Sequence, residues 1–180
     1  MARLIAKRAL AGHLPKEVGG ITIAEVDPGP VTAIAPHGGR EDAVSTALEP
    51  LGLRFPKPGE VIEAEGARIV WAGRSLALLM GQAPPEALSR HAALTDQTGA
   101  QAIVVLSGQG LEEALARLIP VDLATAAFPP GATRRSLIGH MQGSVTRLGV
   151  DRFELAVMRS MGETLLHDLE RAIGTWAARP

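Results

Sequence analysis

The sequence predicts an α+β fold in which one pattern of elements is laid down twice. Three observations predict it. The composition is that of an ordinary globular chain. Short alternating apolar segments are broken by turn residues. A Phe-Pro-rich loop recurs, its centres Pro58-Gly59 and Pro130-Gly131 lying 72 residues apart. With 180 residues, 46% apolar and 21% charged, the chain can bury one sizeable core, as one domain or as two halves sharing it.

Residues 1–20 read as an irregular arm, because Gly12, Pro15, Gly19 and Gly20 break any period. Ile21 to Val26 alternates as a strand, and Asp27-Pro28-Gly29-Pro30 is a turn into a second strand, Val31 to Ala35. After Gly38-Gly39 a helix is expected. Glu41 and Asp42 suit the positive end of its dipole, and Val44, Ala47, Leu48 and Leu51 form its buried stripe. Residues 52–60 are a loop around Phe55-Pro56-Lys57-Pro58-Gly59. Ala67 to Ala72 and Leu76 to Met80 form a hairpin about Gly73-Arg74. Pro84-Pro85 is expected to open a second helix with Ala87, Leu88, His91 and Leu94 on its apolar face.

Gln101 to Leu106 then reads as a buried strand. Gly108 and Gly110 lead to a helix carrying Leu111, Ala114, Leu115 and Leu118, and Phe128-Pro129-Pro130-Gly131 forms the second loop. Ser136 to Leu148 and Phe153 to Met158 read as paired strands. Ser160 and Glu163 fit a capping box before a last helix faced by Met161, Leu165, Leu166, Leu169 and Ile173.

Each half thus runs strand, helix, loop, hairpin, helix: a ferredoxin-like βαββα unit with helices on one face of an antiparallel sheet. The expected organisation is an arm (1–20), a first half (21–100) and a second half (101–180), forming one globular domain. The strand 21–26 is expected to pair across the halves.

The formal charge is -1, with no basic block and no tyrosine, which argues against nucleic acid as a partner. There is no cysteine, which removes disulfide, thiolate-metal and cysteine-nucleophile chemistry and fits a reducing cytoplasm. The Leu4-Ile5-Ala6 run is too short for a signal segment, and no apolar stretch is long enough for a membrane helix.

Ser107-Gly108-Gln109-Gly110 sits where a phosphate-binding turn would. The third glycine is replaced by Glu113, however, and Glu112 and Glu113 would repel phosphate, so a plain tight turn is the better reading. His13, His37, His91, His140 and His167 show no metal-ligand spacing. His91 reads as a core histidine, and His167-Asp168 as a solvated pair. No G-x-S-x-G elbow is present. No catalytic, cofactor or metal residue is assigned. Phe128, Pro129 and Pro130 are the candidate partner contact, as a rigid apolar plug; the alternative is a loop whose Phe packs on its own sheet.

The blocks Leu118-Ile119-Pro120-Val121-Asp122-Leu123, Ala127 to Ala132, Leu137-Ile138-Gly139-His140-Met141, Asp151 to Leu155 and Arg159-Ser160 resemble the gamma subunit of heterotetrameric sarcosine oxidase. Thr32 to Pro36 and Gly38-Gly39-Arg40 resemble it more loosely. The resemblance implies a fold similar to the folate-binding domain of the glycine-cleavage aminomethyltransferases. It implies a chain with no cofactor and no catalysis of its own. The alpha, beta and delta partners would carry FAD, FMN, NAD, zinc and the tetrahydrofolate chemistry of sarcosine demethylation. Where that family often has tryptophans, this chain has Gln142-Gly143-Ser144-Val145 and Leu165-Leu166-His167-Asp168. A related N-methyl amino acid enzyme, such as an N-methylglutamate dehydrogenase, is therefore an alternative. A small folate-binding or aminomethyltransferase-like protein is another, and a self-associating oligomer a third.

Overall fold

Alternation along each strand sorts its apolar residues to one face or the other, and two antiparallel sheets result. The computed structural model describes residues 7–179. Its strands are β1 (Lys16–Val18), β2 (Ile21–Glu25), β3 (Val31–Pro36), β4 (Val61–Ala64), β5 (Ala67–Gly73), β6 (Leu76–Met80), β7 (Ala92–Asp96), β8 (Gln101–Ser107), β9 (Thr133–Ile138), β10 (Met141–Gly149) and β11 (Arg152–Met158). The helices are α1 (Glu41–Leu48), α2 (Leu111–Leu115) and α3 (Gly162–Ala177). The larger sheet has the order β1-β2-β8-β11-β10-β9 and the smaller β4-β5-β6-β3-β7.

The layers follow from where the apolar faces point. Val104, Leu106, Phe153 and Leu155 pack with Leu165, Leu169 and Ile173 of α3 and with Leu115 of α2 on the outer face of the larger sheet. Ile34, Ile69 and Leu79 pack under Val44 and Leu48 of α1 on the outer face of the smaller one. Alternate residues point the other way. Val31, Val70 and Met80 meet Ile103 and Ala156 between the sheets. The fold is thus four layers, helix–sheet–sheet–helix, as expected when each sheet has two faces to cover.

The duplication is visible in the topology. The segment β3-α1-β4-β5-β6 and the segment β8-α2-β9-β10-β11 place their strands in the same spatial order. Both hairpins carry a bulge at the matching place, between Trp71 and Gly73 and between Arg147 and Gly149. The two Pro-Gly loops meet at a local twofold. Val61 N–H donates to Gly131 C=O at 3.1 Å, and Thr133 N–H donates to Gly59 C=O at 2.8 Å.

The strand before each repeat pairs with the other repeat. β2 precedes β3 in sequence but pairs with β8, and β7 precedes β8 but pairs with β3. β2 of the first half therefore extends the sheet of the second, while β7 returns to the edge of its own half.

Several sequence expectations need correction. Within the described part of the 1–20 arm, β1 pairs with β2 across Gly19-Gly20. Both glycines have positive φ, 55° and 78°, as a two-residue hairpin turn requires. The first six residues, including Leu4-Ile5-Ala6, lie outside the described region. Each repeat holds one strand more than βαββα: β4 was not anticipated, and Ser136 to Leu148 divides into β9 and β10 at Gly139-His140.

The helix expected after Pro84-Pro85 is a short 3-10 turn, Glu86–Arg90, followed by β7. Leu88 is buried, but His91 and Leu94 are not on a helix face. The unpaired edge of β3 outweighs local helix preference there. The helix after Gly110 ends at Leu115, before Leu118. Ser160 does not cap α3: it lies in a 3-10 turn, and no side chain caps that helix.

Candidate partner interface

The second glycine turn is closed by the chain itself. Gly110 has φ +78° and lies against the indole of Trp176, so that a Cβ there would come within 1.9 Å of the ring. Trp176 Nε1–H donates to Glu113 at 3.1 Å. Glu112 accepts from Thr125 and Arg147. The indole and two carboxylates thus pack about that turn. The histidines are dispersed, and among the described residues no three His, Cys, Asp or Glu side chains gather to hold a metal. His167 is exposed, as the sequence suggested, whereas Asp168 is bound to Arg171 and is only 14% exposed.

Phe128 is fully buried and stacks on Phe153 at 6.4 Å, with Arg134 above its ring. Phe128 thus packs on its own sheet, the alternative of the two sequence readings, and fills the core beneath the loop. Pro129 and Pro130, beside it, are exposed. The loop is held by Ala132 N–H to Pro129 C=O and by Gly131 N–H to Arg147 C=O, at 3.0 and 2.9 Å.

Sequence reasoning missed Arg147, a charged residue that is fully buried. Its guanidinium lies 4.5 Å from the centre of the Phe153 ring. It donates to Glu112 at 2.5 Å, to Val150 C=O at 2.6 Å, to Gly149 C=O at 3.3 Å and to Leu123 C=O. One cation therefore ties α2, the 116–127 loop and the β10–β11 hairpin together. The available signal was alternation: Val145 and Arg147 share the inward face of β10.

Between the sheets, Arg68 of β5 donates to both carboxylate oxygens of Glu154 of β11, at 2.9 and 2.8 Å. The side chains are 18% and 6% exposed. They line an inter-sheet cleft of about 520 Å3 with Glu63, Thr146 and Arg152. A second cleft, about 650 Å3, opens between α1, the 54–58 loop and Trp71. Beside it Arg54 grips Glu60 with both Nη atoms. The Arg54 hydrogen bonds hold the Glu60 carboxyl below its ordinary range, against a smaller opposing effect of burial.

Met158 and Val150 are each 66% exposed, Leu137 is 46% and Met161 is 41%. These side chains, with Pro129 and Pro130, are exposed apolar groups among the described residues. Among the described residues no helix is long and apolar enough to cross a membrane.

Fold and site together define a duplicated α+β domain built around structural ion pairs. Residues 63–173 match the family described as "Sarcosine oxidase, gamma subunit family", and the chain belongs to that family. A search of curated proteins gave no match. Among solved structures, a chain of the heterotetrameric sarcosine oxidase from Corynebacterium sp. U-96, determined in complex with pyrrole 2-carboxylate, is similar with a TM-score of 0.82 and 19% identity. The match covers 97% of this chain and 98% of that one. Glycine cleavage system aminomethyltransferase T from Bartonella henselae is similar with a TM-score of 0.56 and 14% identity, over 89% of this chain and 48% of that one. This chain thus spans about half of the aminomethyltransferase, and at these identities both likenesses are of fold.

Proposed function

We propose that the chain is the non-catalytic gamma subunit of a sarcosine oxidase and acts through subunit contacts. The observation that carries this reading is the end-to-end correspondence with one chain of a heterotetrameric oxidase, 97% of one and 98% of the other. The partners are the alpha, beta and delta subunits, which carry FAD, FMN, NAD, zinc and tetrahydrofolate. Pro129 and Pro130 contribute to the contact. The complex works in the cytoplasm, in keeping with a chain free of cysteine. It demethylates sarcosine to glycine and passes the one-carbon unit to tetrahydrofolate, or it performs the related chemistry on N-methylglutamate.

Co-expression with the three other subunits tests this. The expected result is one complex whose flavin absorbance co-elutes with the chain. Large flavin-bearing subunits that assemble fully without it would sink the proposal. The second reading, a small folate-binding protein, draws on the fold shared with the aminomethyltransferase. Calorimetry with tetrahydrofolate separates the two, because saturable micromolar binding by the isolated chain favours the folate reading.

A further inference from the structure

The two halves treat one equivalent place differently. In the second half it is filled from within by Arg147, whose guanidinium lies over Phe153 and against Glu112. In the first half the matching strand position holds Trp71. The match is set by the backbone: Trp71 N–H donates to Glu60 C=O and Arg147 N–H to Ala132 C=O, each at 3.0 Å, and each residue precedes the bulge of its hairpin. A carboxylate also stands in the first turn of the helix of each half. Glu112, in the first turn of α2, faces its hairpin through Arg147. Glu41, in the first turn of α1, faces the other hairpin tip through Ser75 Oγ at 3.4 Å.

Among the described residues no cation is bonded to Glu41 as Arg147 is to Glu112; Lys57 and Arg74 line the same cleft but stand exposed. Arg54 is spent on Glu60. What remains is the open cleft of about 650 Å3. Its buried or half-buried wall is Glu41, Ser45, Phe55, Pro56 and Trp71, while Asp42, Lys57 and Arg74 stand exposed. A carboxylate beside an indole and a phenyl ring suits a guanidinium, which pairs with the first and stacks on the others. The exposed charges at the rim are one acid, Asp42, and two bases, Lys57 and Arg74, and standing in solvent they are screened.

We propose that this cleft receives an arginine side chain of another subunit, in the place that Arg147 fills from within the second half. The inference rests on the subunit reading above and names a contact surface for it, separate from the Pro129-Pro130 loop.

Two measurements test it. In the first, the isolated chain is titrated with N-acetylarginine amide and, separately, with N-acetylglycine as an anionic probe, following tryptophan fluorescence with the Trp71→Phe variant as blank. The expected result is a saturable millimolar change with the arginine probe that Glu41→Gln abolishes, and none with the anion. In the second, Glu41→Gln and Trp71→Ala are each assembled with the alpha, beta and delta subunits. Each should raise the dissociation constant at least tenfold while leaving the melting temperature of the isolated chain within a few degrees. Wild-type assembly with both variants binding as tightly as wild type would overturn the proposal, as would preference for the anionic probe. Failure of the wild-type chain to assemble at all strikes the subunit reading instead, and the fluorescence titration then decides the cleft by itself.

Discussion

Arg147 is the residue whose replacement should do most damage for its surface cost, which is nil. Consider Arg147→Met, which keeps an unbranched apolar stem against Phe153 but removes the guanidinium. Three backbone carbonyls, Leu123, Gly149 and Val150, then lose their donor. An unsatisfied buried acceptor costs roughly 1–3 kcal/mol. The Leu123 bond is buried, whereas the hairpin tip at Val150 is open enough for water to replace part of the loss. Glu112 is 39% exposed and so can be solvated once its partner is gone. Losing the attraction therefore adds little beyond about 1 kcal/mol. The expected destabilisation is about 3–4 kcal/mol, a large share of the roughly 5–15 kcal/mol available to a domain. In urea, with an m-value of about 2 kcal/mol/M, the midpoint should fall by about 1.5–2 M. Arg147→Lys should recover only part of this, because an ammonium cannot reproduce the forked geometry. The 116–127 loop should become the first site of limited proteolysis in Arg147→Met. If that variant unfolds within about 0.5 kcal/mol of wild type, the idea that one cation staples three segments is wrong.

Three further outcomes follow from the same geometry. Phe128→Ala should cost about 3–5 kcal/mol in chemical denaturation because it empties a fully buried site. Pro129→Ala and Pro130→Ala should stay within about 1 kcal/mol, and equal effects at all three positions would contradict the placement of the ring. Gly59→Ala should destabilise by about 1–3 kcal/mol: φ is +78°, and the new Cβ would lie 2.3 Å from Arg134 Nη1 and 3.2 Å from Thr133 C=O, at the point where the halves join. The Arg54–Glu60 pair should add up to about 1 kcal/mol. Since the folded carboxyl sits below its usual 4.5, that stability is complete above 4.5 and lost as pH falls through the folded value. Glu60→Gln should therefore flatten the acid limb of the stability–pH curve, and parallel curves for the two proteins would refute the pairing.

Much of the fold was legible because it is written in near neighbours. The apolar spacing of Leu165, Leu166, Leu169 and Ile173 is a helical stripe whatever covers it, and α3 forms there. The runs at 21–25, 31–36 and 101–107 alternate or stay apolar as strands do, and the Pro-Gly loops 72 residues apart announced the duplication. The segment from Glu86 to Asp96 misled, because Leu88, His91 and Leu94 fall at helical spacing by chance while the edge of β3 needs a partner. The β9–β10 division was hidden because Gly139-His140 is a two-residue turn inside an otherwise continuous strand pattern.

The sequence by itself determined the class: an α+β chain built twice, with strand and helix periods in the right order and a block at 118–160 that resembles one subunit family. Tertiary structure alone decided three things. It set the 92–96 segment as a strand on the edge of β3. It turned Phe128 inward and left Pro129 and Pro130 outside. It buried Arg147 in one half and left Trp71 beside an open cleft in the other. The reason is one of range. Periodicity follows from a residue's immediate neighbours, whereas burial, strand partner and ion pairing are set by groups that the chain brings together only after folding, from positions as far apart as Arg68 and Glu154.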